Sequence, residues 1–465
     1  MTKDGLPADR PLVAWYGDDF TGASAVLEAL TFGGLPSVLF LDVPTSEQLR
    51  TFPGVRGIGI AGSARSQNPA WMDRELPRIF DALGGMRAAI THYKVCSTFD
   101  SSPTVGSIGR AFEIAAPILA GAWTPLLVAS PPNRRFQAFG NLFAEERDVI
   151  HRIDRHPTMS RHPSTPMQEA DLGRHLGRQT SQPVGLIDLV SMKQGRADAA
   201  LASEIDAGRR LVSLDVIDEE TLREAGRLVW EHRGERLFAV GSQGLEYALL
   251  AYWRGCGLLG PAAEPPRIQA VEQIAAVSGS CSALTAAQIA WAVKHGFRGI
   301  RLDASAAVDV SAWAGHVHRA TVQALQALSE GADPIVFTAL GPDDMGGDAL
   351  QDAIRASGSG GAEVNARIGE GLGAVLSTVL REAKLTRGII AGGDTSSHAT
   401  AALGIYALTA VAPTVAGAAL FQAHAELGRR PGIELALKGG QMGGIDYFGR
   451  IKTGSELPPV WRTPR

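Results

Sequence analysis

Short continuous apolar runs alternate with stretches whose apolar positions recur every third or fourth residue, along almost the whole chain. In the first half the runs predict strands over Leu12–Tyr16, Ser37–Leu41, Gly57–Ala61, Ala88–Lys94, Leu126–Ala129, Val184–Asp188, Leu211–Leu214 and Leu237–Val240. Helical patterns lie between them, among them Gly22–Phe32, Met72–Leu83 and Glu219–His232. Strands that are apolar throughout are buried on both faces, as in a parallel sheet covered by helices. The Gly/Pro-rich passage Gly255–Arg267 (GCGLLGPAAEPPR) breaks the rhythm. It then resumes with strands Ile274–Ser278, Gly299–Leu302, Pro334–Thr338 and Gly388–Ala391, and helices Ala283–Lys294, Val310–Ser329, Ile368–Ala383 and Ser396–Leu403. Gly358-Ser359-Gly360-Gly361 reads as a flexible loop.

The expected fold is therefore α/β in two domains, each a mostly parallel sheet flanked by helices; an active site in the cleft between them is expected only with the family resemblance given below. The domains are placed at 1–253 and 267–465, with 254–266 as linker, and 465 residues exceed what one core usually serves. A net charge of -4 offers nucleic acid or an anionic membrane no footprint. Cys96, Cys256 and Cys281 are dispersed and odd in number, which suits a reducing cytosol. The start MTKDGLPADRP has no apolar signal region and no apolar run is long enough for a bilayer, so a cytoplasmic protein is expected.

Three glycine turns in the second half lie where a strand ends: Ser278-Gly279-Ser280-Cys281-Ser282, Gly392-Gly393-Asp394-Thr395-Ser396-Ser397 and Lys438-Gly439-Gly440-Gln441-Met442-Gly443-Gly444. A helix opening behind such a turn aims free N–H groups and a positive dipole end forward, an arrangement that holds phosphate. Neighbouring hydroxyls help hold a hydrated magnesium ion. No turn is a P-loop, and each singly is an ordinary connection; three in one domain point to a nucleotide. Gly57–Gly62 matches the dinucleotide fingerprint but lies within a strand rather than opening a helix, which argues against a nicotinamide oxidoreductase.

The first half carries different chemistry. Trp15–Ala25 (WYGDDFTGASA) puts Asp18 and Asp19 between a strand and a helix. Lys94-Val95-Cys96-Ser97-Thr98-Phe99-Asp100 ends another strand, and Arg65, Arg161 and Ser242 fall in further strand-end segments. Ligands of an open parallel sheet bind beyond the carboxyl ends of its strands. Lys94 with an arginine could clamp a carboxylate while Ser97, Thr98 and Ser242 bond hydroxyls. His151, His156 and His162 beside Asp154 do not have zinc spacing and read as a polar loop. Gly241-Ser242-Gln243-Gly244-Leu245 is not a nucleophile elbow.

Together these segments resemble the four-carbon acid sugar kinases, over nearly the whole chain. The resemblance rests on Gly17–Ala23, Gly241–Leu245, Val277–Ser282, Gly392–Ser396 (with Asp394 where the family has Glu) and Lys438–Gly443, all in family order. It implies an N-terminal substrate domain, a C-terminal nucleotide domain, and transfer of the ATP γ-phosphoryl group to a terminal hydroxyl of a short sugar acid. Nucleotide contacts then fall on Ser278, Ser280, Gly392, Gly393, Asp394, Thr395, Gly440 and Gly443. Substrate contacts fall on Asp18, Asp19, Arg65 and Lys94, with Asp19 favoured over Asp18 as the base. Many members carry Lys-x-Asp-Ser-Thr-Leu-Arg-Gly where this chain has Cys96 for the acid and Asp100 for the arginine, which affects substrate identity. Tetronates or 3-oxo-tetronates are the first expectation and a branched acid of the 3-oxo-isoapionate kind the second. A non-catalytic carboxylate-binding protein is the competing class. Expected partners are the sugar acid, ATP and Mg2+, with no nucleic acid and no membrane; a homodimer is allowed.

Overall fold

Every strand expected in the first half forms, in a computed structural model that describes residues 6–7, 10–119, 121–146, 148–162, 164–342, 344–415, 417–425 and 432–454. They are β1 (Val13–Gly17), β2 (Ser37–Phe40), β3 (Gly57–Ala61), β4 (Ile90–Lys94), β5 (Thr124–Leu127), β6 (Arg135–Ala138), β7 (Asn141–Glu146), β8 (Val149–Arg152), β9 (Val184–Ile187), β10 (Leu211–Leu214) and β11 (Leu237–Gly241). Of these, β6, β7 and β8 were not expected. The chain divides into two compact units, Met1–Ala263 and Glu264–Arg465.

In the first unit the sheet order is β2-β3-β1-β4-β11-β5-β10-β9, and every pairing is parallel. Burial on both faces explains the unbroken apolar runs: β1, β4 and β11 are buried at every position. Crossover helices begin where a side chain can accept a free N–H: Asp19 caps Phe20–Phe32, Asn68 caps Pro69–Gly85, and Asp218 caps Glu219–Glu231 with a capping box. One face of the sheet packs its core on Met72, Leu76, Phe80, Phe112 and Phe238. β6, β7 and β8 form a separate antiparallel sheet. Buried Asp215 ties it down, accepting the N–H groups of Phe139, Gly140 and Leu189 and the Gln137 amide.

The second unit contributes β12 (Ala275–Ser278), β13 (Phe297–Arg301), β14 (Asp333–Phe337), β15 (Arg387–Ala391), β16 (Ile405–Val415), β17 (Ala418–Ala425) and β18 (Glu434–Lys438). Its order is β13-β14-β12-β15-β18-β17-β16. The first five of these are parallel, while β17 runs antiparallel to both β18 and β16. The fold class is as expected, a mostly parallel sheet flanked by helices, with an antiparallel border that the pattern did not disclose. Gly358, at φ 69, caps the helix Met345–Ser357, and Gly361 already opens the helix Gly361–Glu382, so the expected flexible loop is a tight helix–helix junction. The helix Gly244–Gly255 likewise runs into the first residues of the expected linker.

Candidate functional site

In the first unit the chain leaves β1 to build β2 and β3 on one side, then places β4 on the other. Two parallel strands with opposite connections open a crevice at their carboxyl ends, the usual ligand position in such a sheet. Gly17 pairs with Lys94 across it. Asp18 and Asp19 follow β1 and Val95–Ser101 follows β4, so the sequence-predicted acid pair and lysine meet there.

The two carboxylates have different surroundings. Asp19 is the helix cap: one oxygen accepts the Gly22 N–H at 2.6 Å, and the other takes an Arg65 N–H at 2.9 Å. Asp18 is 3% exposed and its Oδ1 has no hydrogen-bond partner. Burial and then the neighbouring Asp19 push its pKa up to about 7. Its backbone is fixed on both sides, the N–H donating to the Lys94 carbonyl and the carbonyl accepting from Arg65, each at 2.9 Å. Lys94 is buried, with Nζ donating to the Val95 carbonyl at 2.7 Å. A Cβ on Gly22 would stand 2.9 Å from that Nζ, which places the ammonium at the N-terminus of the helix Phe20–Phe32. A cation at the positive end of a helix is the reverse of the stabilising arrangement. Asp18 and Asp19 offset it here, and an anionic ligand would do so further.

Arg65 bridges two carboxylates. Besides Asp19, its Nε and Nη2 donate to Asp100 Oδ2 at 3.1 and 2.6 Å. The Asp100 side chain is 0% exposed, and its other oxygen takes the Thr98 hydroxyl at 2.5 Å. Burial pushes Asp100 up, but the Arg65 guanidinium and the Thr98 hydroxyl outweigh it and hold the carboxyl below its ordinary range. Cys96 Sγ lies 2.9 Å from Thr98 Oγ1, and burial raises its thiol pKa. Ser97 is half-buried on the same turn. The buried Ser242 hydroxyl accepts the Gly244 N–H at 3.0 Å where a helix opens after β11.

Arg161 is exposed on the turn Met159–Arg161, and the neighbour that reaches the cluster is His162. His162 Nδ1 lies 3.0 Å from Thr165 Oγ1, which in turn faces Asp100 Oδ2 at 3.5 Å. Pro163, beside it in the expected polar loop, lies outside the described residues. His156 is buried and its Nδ1 accepts the N–H groups of Thr158 and Met159, a structural duty. No group of three or more His, Cys, Asp or Glu is placed to hold a metal among the described residues. Asn133 lies in Ser130–Arg135, a strand-end segment that the sequence also places at this edge, and its Oδ1 accepts from Ser130 Oγ at 2.7 Å and Gln243 Nε2 at 3.2 Å where β5 and β11 end.

The second unit repeats the plan. The chain leaves β12 for β13 and β14 on one side, then places β15 on the other. Ser278 pairs with Ala391, and Ala391 with Lys438, so the three glycine turns start level with one another at adjacent strand ends. The room left at the glycines shows how closely the turns meet: a Cβ on Gly279 would stand 2.2 Å from Thr395 Oγ1, and one on Gly440 2.6 Å from Ser280 Oγ. Gly392, at φ 121, opens the helix Gly393–Ala402 in a conformation that glycine alone adopts freely. Ser278, Ser280 and Thr395 are buried at this junction, and Gly443, at φ 87, turns the third loop. Gly393 and Asp394 supply first-turn N–H groups; the Asp394 side chain lies outside the described residues. Buried Lys438 donates to Thr285 Oγ1 and to the Gly439 carbonyl, both at 3.0 Å, and burial pushes its pKa down to about 8.

One unit thus gathers a carboxylate–lysine crevice at its strand ends and the other three converging glycine turns. Comparison agrees: a family model described as "Sugar-binding N-terminal domain" matches residues 13–249, and one described as "Nucleotide-binding C-terminal domain" matches 275–448. The chain belongs to the four-carbon acid sugar kinase family. It is 47% identical over 443 residues to a 3-oxo-isoapionate kinase of Paraburkholderia graminis, covering 95% of this chain and 94% of that one. It is 33% identical over 450 residues to a 3-oxo-tetronate kinase of Methylobacterium radiotolerans, covering 93% and 96%. A solved structure from Haemophilus influenzae matches with a TM-score of 0.69 at 25% identity, over 94% of this chain and 99% of its own length. Another from Salmonella typhimurium LT2, described as a tRNA synthase, matches with 0.74 at 25% identity, over 94% and 98%. Those two likenesses are of fold.

Proposed function

We propose that this kinase transfers the γ-phosphoryl group of ATP to a hydroxyl of a branched sugar acid of the 3-oxo-isoapionate type. The observation that carries the nucleotide half is the convergence of three glycine turns at the ends of β12, β15 and β18. The substrate choice rests on the 47% identical relative, which reverses the order in which the sequence alone ranked linear and branched acids. The first unit would hold the acceptor and the second the nucleotide.

Phosphoryl transfer asks the protein for positioning, charge neutralisation and a base. In this proposal Asp18, rather than Asp19, takes the hydroxyl proton. Its free Oδ1 and raised pKa suit a base near neutral pH, whereas both Asp19 oxygens are engaged. Lys94 would neutralise the acid's negative charge, with Arg65 holding Asp19 and the turn Cys96–Asp100 in place. Magnesium would arrive with the phosphates and neutralise their charge, drawing oxygen ligands from Ser280 or Thr395. As a base must be ionised to act, kcat/KM should rise with pH through an inflection near 7, and a flat profile between about pH 6 and 8 would remove Asp18 from the role.

The decisive experiment is ATP-dependent ADP release with magnesium across linear and branched C4–C5 sugar acids. Turnover with highest kcat/KM on the branched 3-oxo acid is the expected outcome. Preference for a linear 3-oxo-tetronate would return the substrate to the first sequence expectation. Sugar-acid binding without ADP release from any acid would favour the non-catalytic alternative.

A further inference from the structure

We infer that Gln288 is a positioning residue for the nucleotide's phosphates, because it ties the carbonyls of Met442, Gly443 and Gly444 in a loop whose N–H groups are left unpaired. The inference rests on the nucleotide reading of the second unit. Gln288 lies on the helix Ala283–Val293 and is 0% exposed. Its Nε2 donates to the carbonyls of Met442, Gly443 and Gly444 at 3.0, 3.3 and 2.8 Å. At the start of the same helix the Ser282 and Thr285 hydroxyls donate to the Gly440 carbonyl at 2.5 and 2.9 Å, and Lys438 Nζ donates to that of Gly439 at 3.0 Å.

Among the described residues, none of the backbone N–H groups from Gly439 to Ile445 donates a hydrogen bond. Successive N–H groups left free in a turn form an anion-binding concavity, and fixing their carbonyls on the far side preorganises it. Gly443, at φ 87, is held tightly in this position: a Cβ there would stand 2.7 Å from the Tyr447 ring and 3.4 Å from Gln288 Nε2.

Gln288 is an amide for its donors. Three carbonyl partners fix which end of the side chain is nitrogen. Its Oε1 is buried with no partner, a cost that an apolar residue of the same volume would avoid if packing were the only duty. The bonds to the loop are what the amide adds.

The test uses the full-length protein with Gln288→Met, which keeps the volume and loses the donors, and Gln288→Glu, which sets an acceptor against the three carbonyls. ADP and ATP affinities with magnesium would be measured by calorimetry, together with KM for each substrate and thermal melting. Both variants are expected to bind nucleotide about tenfold more weakly or worse, with KM for the sugar acid unchanged. A folded Gln288→Met protein with nucleotide affinity within about twofold of wild type overturns the inference and leaves the kinase reading standing. Wild-type protein that binds no nucleotide overturns both. Amide hydrogen exchange on the wild type needs no variant: added ADP should slow exchange across Gly439–Ile445, and nucleotide that binds without doing so overturns the inference.

Discussion

Asp18→Asn is expected to lower kcat by about 10²- to 10⁴-fold while ATP affinity stays unchanged. Asparagine keeps the shape of the side chain and removes the proton acceptor. The same substitution has a stability consequence of opposite sign. The folded-state pKa of Asp18 is raised to about 7, well above that of an exposed carboxyl, so its contribution is favourable at low pH and is lost as pH rises through that value. Asp18→Asn carries no charge to desolvate, so its melting temperature should gain on wild type as pH rises from about 4 to 8. A site kept partly unstable for the sake of a base is a familiar trade of stability for activity. Parallel pH-dependent melts and single-turnover assays check both halves. Full activity in Asp18→Asn would pass the role to Asp19.

Arg65→Ala is expected to destabilise the first unit by about 3 kcal/mol at neutral pH, the lower end of the range for breaking a buried pair, since the Arg65 side chain is 27% exposed. The loss comes less from the ion pair itself than from Asp100, left fully buried without its counter-charge. In the wild type Asp100 is held below its ordinary pKa, so its contribution is present at neutral pH and is lost as pH falls through that depressed value. In Arg65→Ala the carboxyl has no such support and would take up a proton more readily. The gap in stability between the two proteins should therefore narrow as pH falls toward about 4. Urea denaturation near neutral pH and at the acid end measures it; a gap that is equal at both would mean that Asp100 is not the source. The double variant Arg65→Ala/Asp100→Asn should recover part of the loss at neutral pH.

These two predictions show where the sequence was informative and where it stopped. It placed Asp18, Asp19, Arg65 and Lys94 in one site because each follows a strand predicted to be parallel, and such ends gather on one edge of a sheet. It favoured Asp19 over Asp18 as the base, the reverse of the assignment proposed above. The different surroundings of the two depend on a helix cap, an arginine that arrives from another loop, and the burial of Asp18, none of which is a property of neighbouring residues in the chain. Asp100 was noticed only as a departure from the family pattern; its partner, Arg65, is distant in sequence and is supplied by the turn after β3.

The same division holds for the fold. Continuous apolar runs with helical spacers determined the parallel sheets, since burial on both faces leaves no polar alternation to choose between. Three glycine turns at strand ends carried the expectation of a phosphate site, and two of them hold a glycine at positive φ, Gly392 and Gly443. The antiparallel border β16–β17 escaped notice: its burial follows no simple period, and its register irregularities shift which residues face inward. The helix Met345–Ser357 opens with Gly346 and Gly347, poor helix formers, and the Asp344 side chain caps it by accepting the Gly346 N–H. Which carbonyls Gln288 ties was decided only when the helix Ala283–Val293 and the loop after β18, far apart in the chain, were brought together by the sheet.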